Sequence, residues 1–74
     1  MEWDYSFVIA IDYDGTLCVD RKTNEINESL FDFSKKAKSM GCIIILWTSR
    51  CGHELQEAID VCASHGLYFD YIIN

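Results

Sequence analysis

The chain has 74 residues and a mass of 8.5 kDa, the size of one small domain, 1–74, that hides only roughly 60% of its unfolded surface on folding. Half of it is nonetheless apolar and 14% aromatic, which excludes a disordered segment and supports a packed core. Six Lys and Arg against twelve Asp and Glu give a net charge of −6, which repels nucleic-acid backbones and excludes a DNA or RNA partner.

The first predicted element is Phe7-Val8-Ile9-Ala10-Ile11, an apolar run rich in β-branched residues that reads as a strand covered on both faces, with Asp12 at its carboxyl end. Residues 13–26 are polar and carry the turn formers Gly15, Asp20 and Asn24. They predict a loop with a small hairpin, Leu17-Cys18-Val19 against Glu25-Ile26, its tip at 20–24. Asn27 suits a helix cap, Glu28 suits the positive helix end, and Leu30, Phe33, Ala37 and Met40 recur as a core face until Gly41 stops the helix. Residues 42–47 predict a second buried strand, followed by the polar loop Thr48-Ser49-Arg50-Cys51-Gly52. A second helix is expected over 52–65, with Leu55, Ile59 and Cys62 facing the core and Gly66 as its stop, and a third strand over 68–73.

Strands joined through helices make a parallel sheet, so the expected fold class is α/β, a Rossmannoid β-α-β-α-β with three parallel strands and both helices on one face. Two strands apolar on both faces then leave one face bare and the first strand with an open edge, a sticky arrangement. The expected cover is a second copy, making the protein a homo-oligomer, or a further carboxyl-terminal segment. Apolar stretches are too short to cross a bilayer, which needs roughly 20 residues, so no membrane partner is expected. Four cysteines without tight pairing, and no secretory leader, place the expected compartment in the cytoplasm with free thiols.

Chemistry concentrates after the first strand, where open α/β sheets place their sites. Phosphoryl transfer through aspartate needs a carboxylate nucleophile, a second acid or base, donors for the phosphoryl oxygens, and a cation against the crowded negative charge. Asp12 is placed as nucleophile and Asp14 as acid and base. Gly15 lets the turn aim amides at an anion, and Thr48, ending the neighbouring strand, offers a hydroxyl. Magnesium suits two carboxylates beside a phosphate. Plainer readings stand beside these: Asp-Gly as a hairpin turn, Thr48 and Ser49 as helix caps, and Arg50 as a solvated loop residue. A zinc site through Cys51, His53, Cys62 and His65 matches no structural zinc spacing, and Trp3, Trp47, Phe31 and Phe69 read as core or interface.

Ile11-Asp12-Tyr13-Asp14-Gly15-Thr16-Leu17 resembles the first signature motif of the haloacid dehalogenase-like (HAD) hydrolase superfamily, and Ile43 to Thr48 resembles its second. The rest, through Gly66-Leu67-Tyr68-Phe69-Asp70, resembles a compact bacterial and phage branch without a large cap. The resemblance implies a magnesium-dependent phosphohydrolase working through an aspartyl-phosphate at Asp12, with Asp14 as acid and base and Thr48 as phosphoryl-binding hydroxyl. The implied substrate-binding set is Tyr13, Gly15, Thr16, Thr48, Ser49 and Arg50, the implied metal ligands Asp12 and the Asp14 carbonyl, and the implied ligand a phosphorylated small molecule. The superfamily's third motif, a cation, and fourth, an acidic pair, have no counterpart in these 74 residues. The resemblance therefore implies a short capless member or the amino-terminal half of one, with a weak magnesium site. A binding module without turnover and an interaction protein pairing through its strand edge are the alternatives.

Overall fold

Two parallel pairings organise the chain, and both involve the same strand. In the computed structural model, which describes residues 7–73, the elements run β1 (Val8–Asp12), β2 (Cys18–Asp20), β3 (Glu25–Ile26), α1 (Glu28–Ser39), β4 (Ile43–Trp47), α2 (Gly52–Ser64) and β5 (Tyr71–Ile73). Trp3 lies outside the described residues. The sheet order is β1-β4-β5, all parallel, with Val8 opposite Ile43, Asp12 opposite Trp47 and Trp47 opposite Ile73. This is the α/β fold with a three-stranded parallel sheet that the apolar runs predict, and β2 and β3 form the expected antiparallel hairpin.

Alternation along the strands separates two faces. Ile9 and Ile11 of β1 pair in register with Ile44 and Leu46 of β4 and point into the core with Phe31, Ala37, Ala58, Cys62 and Leu67. Ile44 and Leu46 are completely buried, each worth about 1.5–3 kcal/mol of apolar transfer. The opposite face carries Val8, Ala10, Asp12, Ile43, Ile45, Trp47, Tyr71 and Ile73, all exposed or half-exposed. The bare face expected from the apolar runs is therefore present among the described residues.

Helix ends follow local chemistry. The Asn27 side chain accepts from the Leu30 amide at 3.2 Å and caps α1. Both helices close with the paired bonds of a glycine-terminated turn: Cys42 N to Ala37 O with Gly41 N to Lys38 O, and Leu67 N to Cys62 O with Gly66 N to Ala63 O.

The buried stripe of α1 departs from expectation. Phe31, Ser34 and Ala37 are buried, whereas Phe33 and Met40, expected in the core, are 56% and 74% exposed. Both stripes share Ala37, and Ser34 decides between them. Its hydroxyl donates back to the Leu30 carbonyl at 2.7 Å, so a polar residue enters the core without an unmet bond. On α2, Ala58 and Cys62 are fully buried, while the expected core residues Leu55 and Ile59 are only partly so.

β5 begins at Tyr71, later than the expected 68. Asp70 explains the difference: its backbone amide donates to Ile44 O and its carboxylate accepts from Ile44 N, both at 2.8 Å, while Lys38 donates to its other oxygen at 3.0 Å. One residue thus fastens β4, α1 and the start of β5. The bond from the Ile44 amide, followed by Lys38, holds the Asp70 carboxyl below its ordinary range.

Candidate functional site

Asp12 ends β1 and Thr48 follows the end of β4, so parallel pairing brings them to the same carboxyl edge of the sheet. Together with Trp47 and Ser49 they line a cleft of about 450 Å³. Asp12 and Ser49 are exposed, and Thr48 is buried. The Thr48 hydroxyl oxygen accepts from the Arg50 amide at 3.0 Å, which fixes the side chain and leaves its proton to donate. The helix cap expected as its plainer role falls instead to Cys51, which makes no side-chain cap bond.

The loop after Asp12 is wound tightly on itself. Gly15 N donates to Cys18 O at 2.8 Å, Thr16 N and Cys18 N to Tyr13 O, and Leu17 N to Asp12 O. Gly15 has φ +84°, a conformation that favours glycine, and a Cβ there would meet open space, so its requirement is backbone strain. The amides at 15–18 are therefore spent within the turn, and the expected anion cradle of Gly15 and Thr16 is not preformed. Tyr13, expected to contact substrate, has no exposed surface. Its hydroxyl donates to Asn24 Oδ1 at 3.0 Å, and burial pushes its phenol well above the ordinary value.

Arg50 reverses both of its sequence readings. It is neither solvated nor open to a ligand, at 3% exposure, because its guanidinium forks onto Asp14: Nε to Oδ2 at 2.9 Å and Nη2 to Oδ1 at 2.8 Å. The group lies 4.7 Å from the Tyr13 ring centroid, Nη1 donates to the Glu54 carbonyl at 3.4 Å, and Glu57 lies 3.8 Å away. Asp14 also has Arg21 at 3.9 Å, and Arg21 in turn reaches Glu54 at 3.4 Å. The hydrogen bonds from Arg50 hold the Asp14 carboxyl below its ordinary range and raise the Arg50 guanidinium above its own.

The two acidic residues of the motif are thus in different situations. Asp12 faces the cleft, whereas both carboxylate oxygens of Asp14 are engaged by Arg50. Asn24 ties the hairpin into the same network, since its amide donates to Glu57 at 2.8 Å while its oxygen receives the Tyr13 hydroxyl. Asn24 reads in sequence only as a turn former. Its positive φ of 59° fits that reading, but nothing local announces its bonds to Tyr13 and Glu57.

No family model and no curated protein matches the chain. A solved structure of a conserved protein from Bacteroides thetaiotaomicron is similar to it, with a TM-score of 0.83 and 31% identity over 92% of this chain. The chain spans 58% of the length of that structure. The likeness extends the α/β reading from local pattern to the whole described fold.

For a magnesium ion, the Asp12 carboxylate lines the cleft and is a hard oxygen of the kind it takes alongside several waters, whereas Asp14 is not among the residues that line the cleft. Among the described residues no group of three or more His, Cys, Asp or Glu is placed to hold a metal. Among the described residues the cleft thus offers a magnesium ion one carboxylate, that of Asp12, and most of its shell would have to be water. The thiol of Cys62 is buried, with burial pushing it up to about 12, which makes it a structural group.

Proposed function

We propose that the chain is a HAD-like phosphohydrolase, or a short derivative of one, that takes the phosphoryl group of a small molecule onto Asp12. The observation that carries the reading is the shared cleft of Asp12, Thr48 and Ser49 at the carboxyl edge of a parallel sheet. The resemblance of residues 11–17 and 43–48 to the superfamily's first two motifs supports it. Asp12 attacks phosphorus in line with the leaving oxygen, and the Thr48 hydroxyl donates to a phosphoryl oxygen. Magnesium held by Asp12 and, as the resemblance implies, by the Asp14 carbonyl would supply charge neutralisation there. Asp14 is the base for the water that releases phosphate from Asp12, a role that requires one of its oxygens to leave the Arg50 fork. Protonation of the leaving oxygen by Asp14 needs the Arg50 fork to loosen first.

That restriction favours a second reading, a module that binds a phosphorylated ligand without turnover. Purified protein with magnesium and a generic phosphate ester separates the two. Hydrolysis lost in Asp12→Asn supports the enzyme. No hydrolysis, or hydrolysis unchanged in Asp12→Asn, sinks it, and ligand binding without turnover then favours the module. As a homo-oligomer, the protein would cover the outer edge of β1 and an apolar groove of about 450 Å³ at the amino end of the sheet, lined by Phe7, Ile9, Phe33 and Met40 among others.

A further inference from the structure

Trp47 is the last residue of β4 and lies directly opposite Asp12 in the parallel ladder. Residues opposed on neighbouring strands point to the same face, about 4.8 Å apart, so the indole stands beside the Asp12 carboxylate. Trp47 is 61% exposed on the helix-free face and forms a wall of the Asp12 cleft. A tryptophan left open on a strand end forgoes most of its apolar burial, and its chemistry is that of a flat stacking surface.

From this juxtaposition, and resting on the phosphate reading of the cleft, we infer that the site selects phosphate monoesters whose alcohol carries a planar ring close to the ester oxygen, with Trp47 as the platform for that ring. The distances set the reach. A phosphoryl group at Asp12, Thr48 and Ser49 places its ester oxygen within one strand spacing of the indole, so a ring one or two bonds away lies over Trp47. A ring held at the far side of a sugar overshoots it. Ile45 and Ile73, Trp47's neighbours on this face, extend the floor with apolar surface and offer no partner for sugar hydroxyls. An aryl or heteroarylmethyl phosphate therefore fits, and a polyol phosphate does not.

Non-hydrolysable phosphonates test this whether or not the protein turns over. In a Trp3→Phe background, which leaves Trp47 as the single tryptophan, magnesium-containing titrations with benzylphosphonate, cyclohexylmethylphosphonate and ethylphosphonate are followed by indole fluorescence and calorimetry. The expected result is benzylphosphonate binding about tenfold or more tighter than either of the others, with quenching of Trp47, as stacking of a ring on an aromatic side chain delivers. Trp47→Ala, a surface change compatible with folding, should erase the preference, bringing benzylphosphonate to the affinity of cyclohexylmethylphosphonate and ethylphosphonate in the same variant, as read by calorimetry. Equal affinity for all three overturns the stacking role while leaving the phosphate site standing. Absence of binding by all three removes the phosphate reading and this inference with it. Trp47 emission that shifts with protein concentration alone assigns the indole to contacts between copies and likewise overturns it.

Discussion

The Asp14–Arg50 pair is asymmetric, and the asymmetry has a measurable consequence. The Arg50 side chain is 2% exposed and that of Asp14 24%. Removing one partner of a buried ion pair costs about 3–5 kcal/mol, because the survivor stays charged away from water. In Asp14→Ala the survivor is the deeply buried guanidinium, which loses its two shortest hydrogen bonds and keeps the Glu54 carbonyl, Glu57 and the Tyr13 ring. Those remaining partners put the cost near the lower end, about 3 kcal/mol.

In Arg50→Met the buried charge disappears, an apolar chain fills part of its space, and Asp14 turns to water and Arg21. That substitution should cost about 1 kcal/mol. For a domain of this size each kcal/mol moves Tm by about 4–8 °C, so the two variants should separate by about 8–16 °C. Stability of roughly 4–11 kcal/mol for a chain of this length leaves Asp14→Ala folded but much weakened. Urea unfolding followed by far-UV circular dichroism, with m values held equal, gives the comparison. Arg50→Met costing as much as Asp14→Ala would refute the reasoning and locate the stabilisation in the packing of the arginine stem.

Other outcomes follow from single contacts. Asp14 and Asp70 both have carboxyls held below their ordinary range, so their contribution is complete above the unfolded value of about 3.9 and disappears as pH falls through their lower folded values. The urea midpoint should therefore stay level from pH 7 to 5 and fall below about pH 4, and Asp70→Asn should flatten that fall. Asn27→Ala removes the α1 cap and should cost about 1 kcal/mol by the same unfolding assay, with Asn27→Asp restoring most of it. Phe33→Lys with Met40→Lys places charge in the apolar groove. Light scattering should show assembled copies becoming monomers, and a wild-type monomer at micromolar concentration contradicts the homo-oligomer.

What the sequence reveals divides by the range of the interaction that fixes it. The strands, the hairpin, the Asn27 cap and the glycine stops depend on neighbours within a few residues, and pattern and turn chemistry locate them. The stripe of α1 is harder, because Phe33 and Met40 fit the helical period as well as Phe31 and Ser34 do. A buried serine satisfied by its own helix leaves no mark in apolar periodicity. Arg50 is harder still: its neighbours Thr48, Ser49 and Cys51 describe a polar loop, and its partner Asp14 is thirty-six positions away. The usable signal was a second acidic residue behind a buried strand, next to a turn whose amides serve the turn itself, which calls for a cation from elsewhere in the fold. Asp70 escapes notice for the same reason, since its partners Ile44 and Lys38 belong to other elements.

β4 pairs on both sides, with β1 from the beginning of the chain and with β5 from its end. Neither half of the sheet can zip from a local turn, because each pairing closes a loop containing a whole helix. Such non-local closures raise the entropic barrier before any contact repays it, and they place this domain among the slower folders for its size. Collapse should therefore gather around β4, and trimming Ile44 or Leu46 should slow refolding, whereas changes in the β2–β3 hairpin should mainly speed unfolding. Until β4 has found both partners, its run of five apolar residues stays open to solvent. The same strand that organises the fold is then the segment most exposed to misassembly during synthesis.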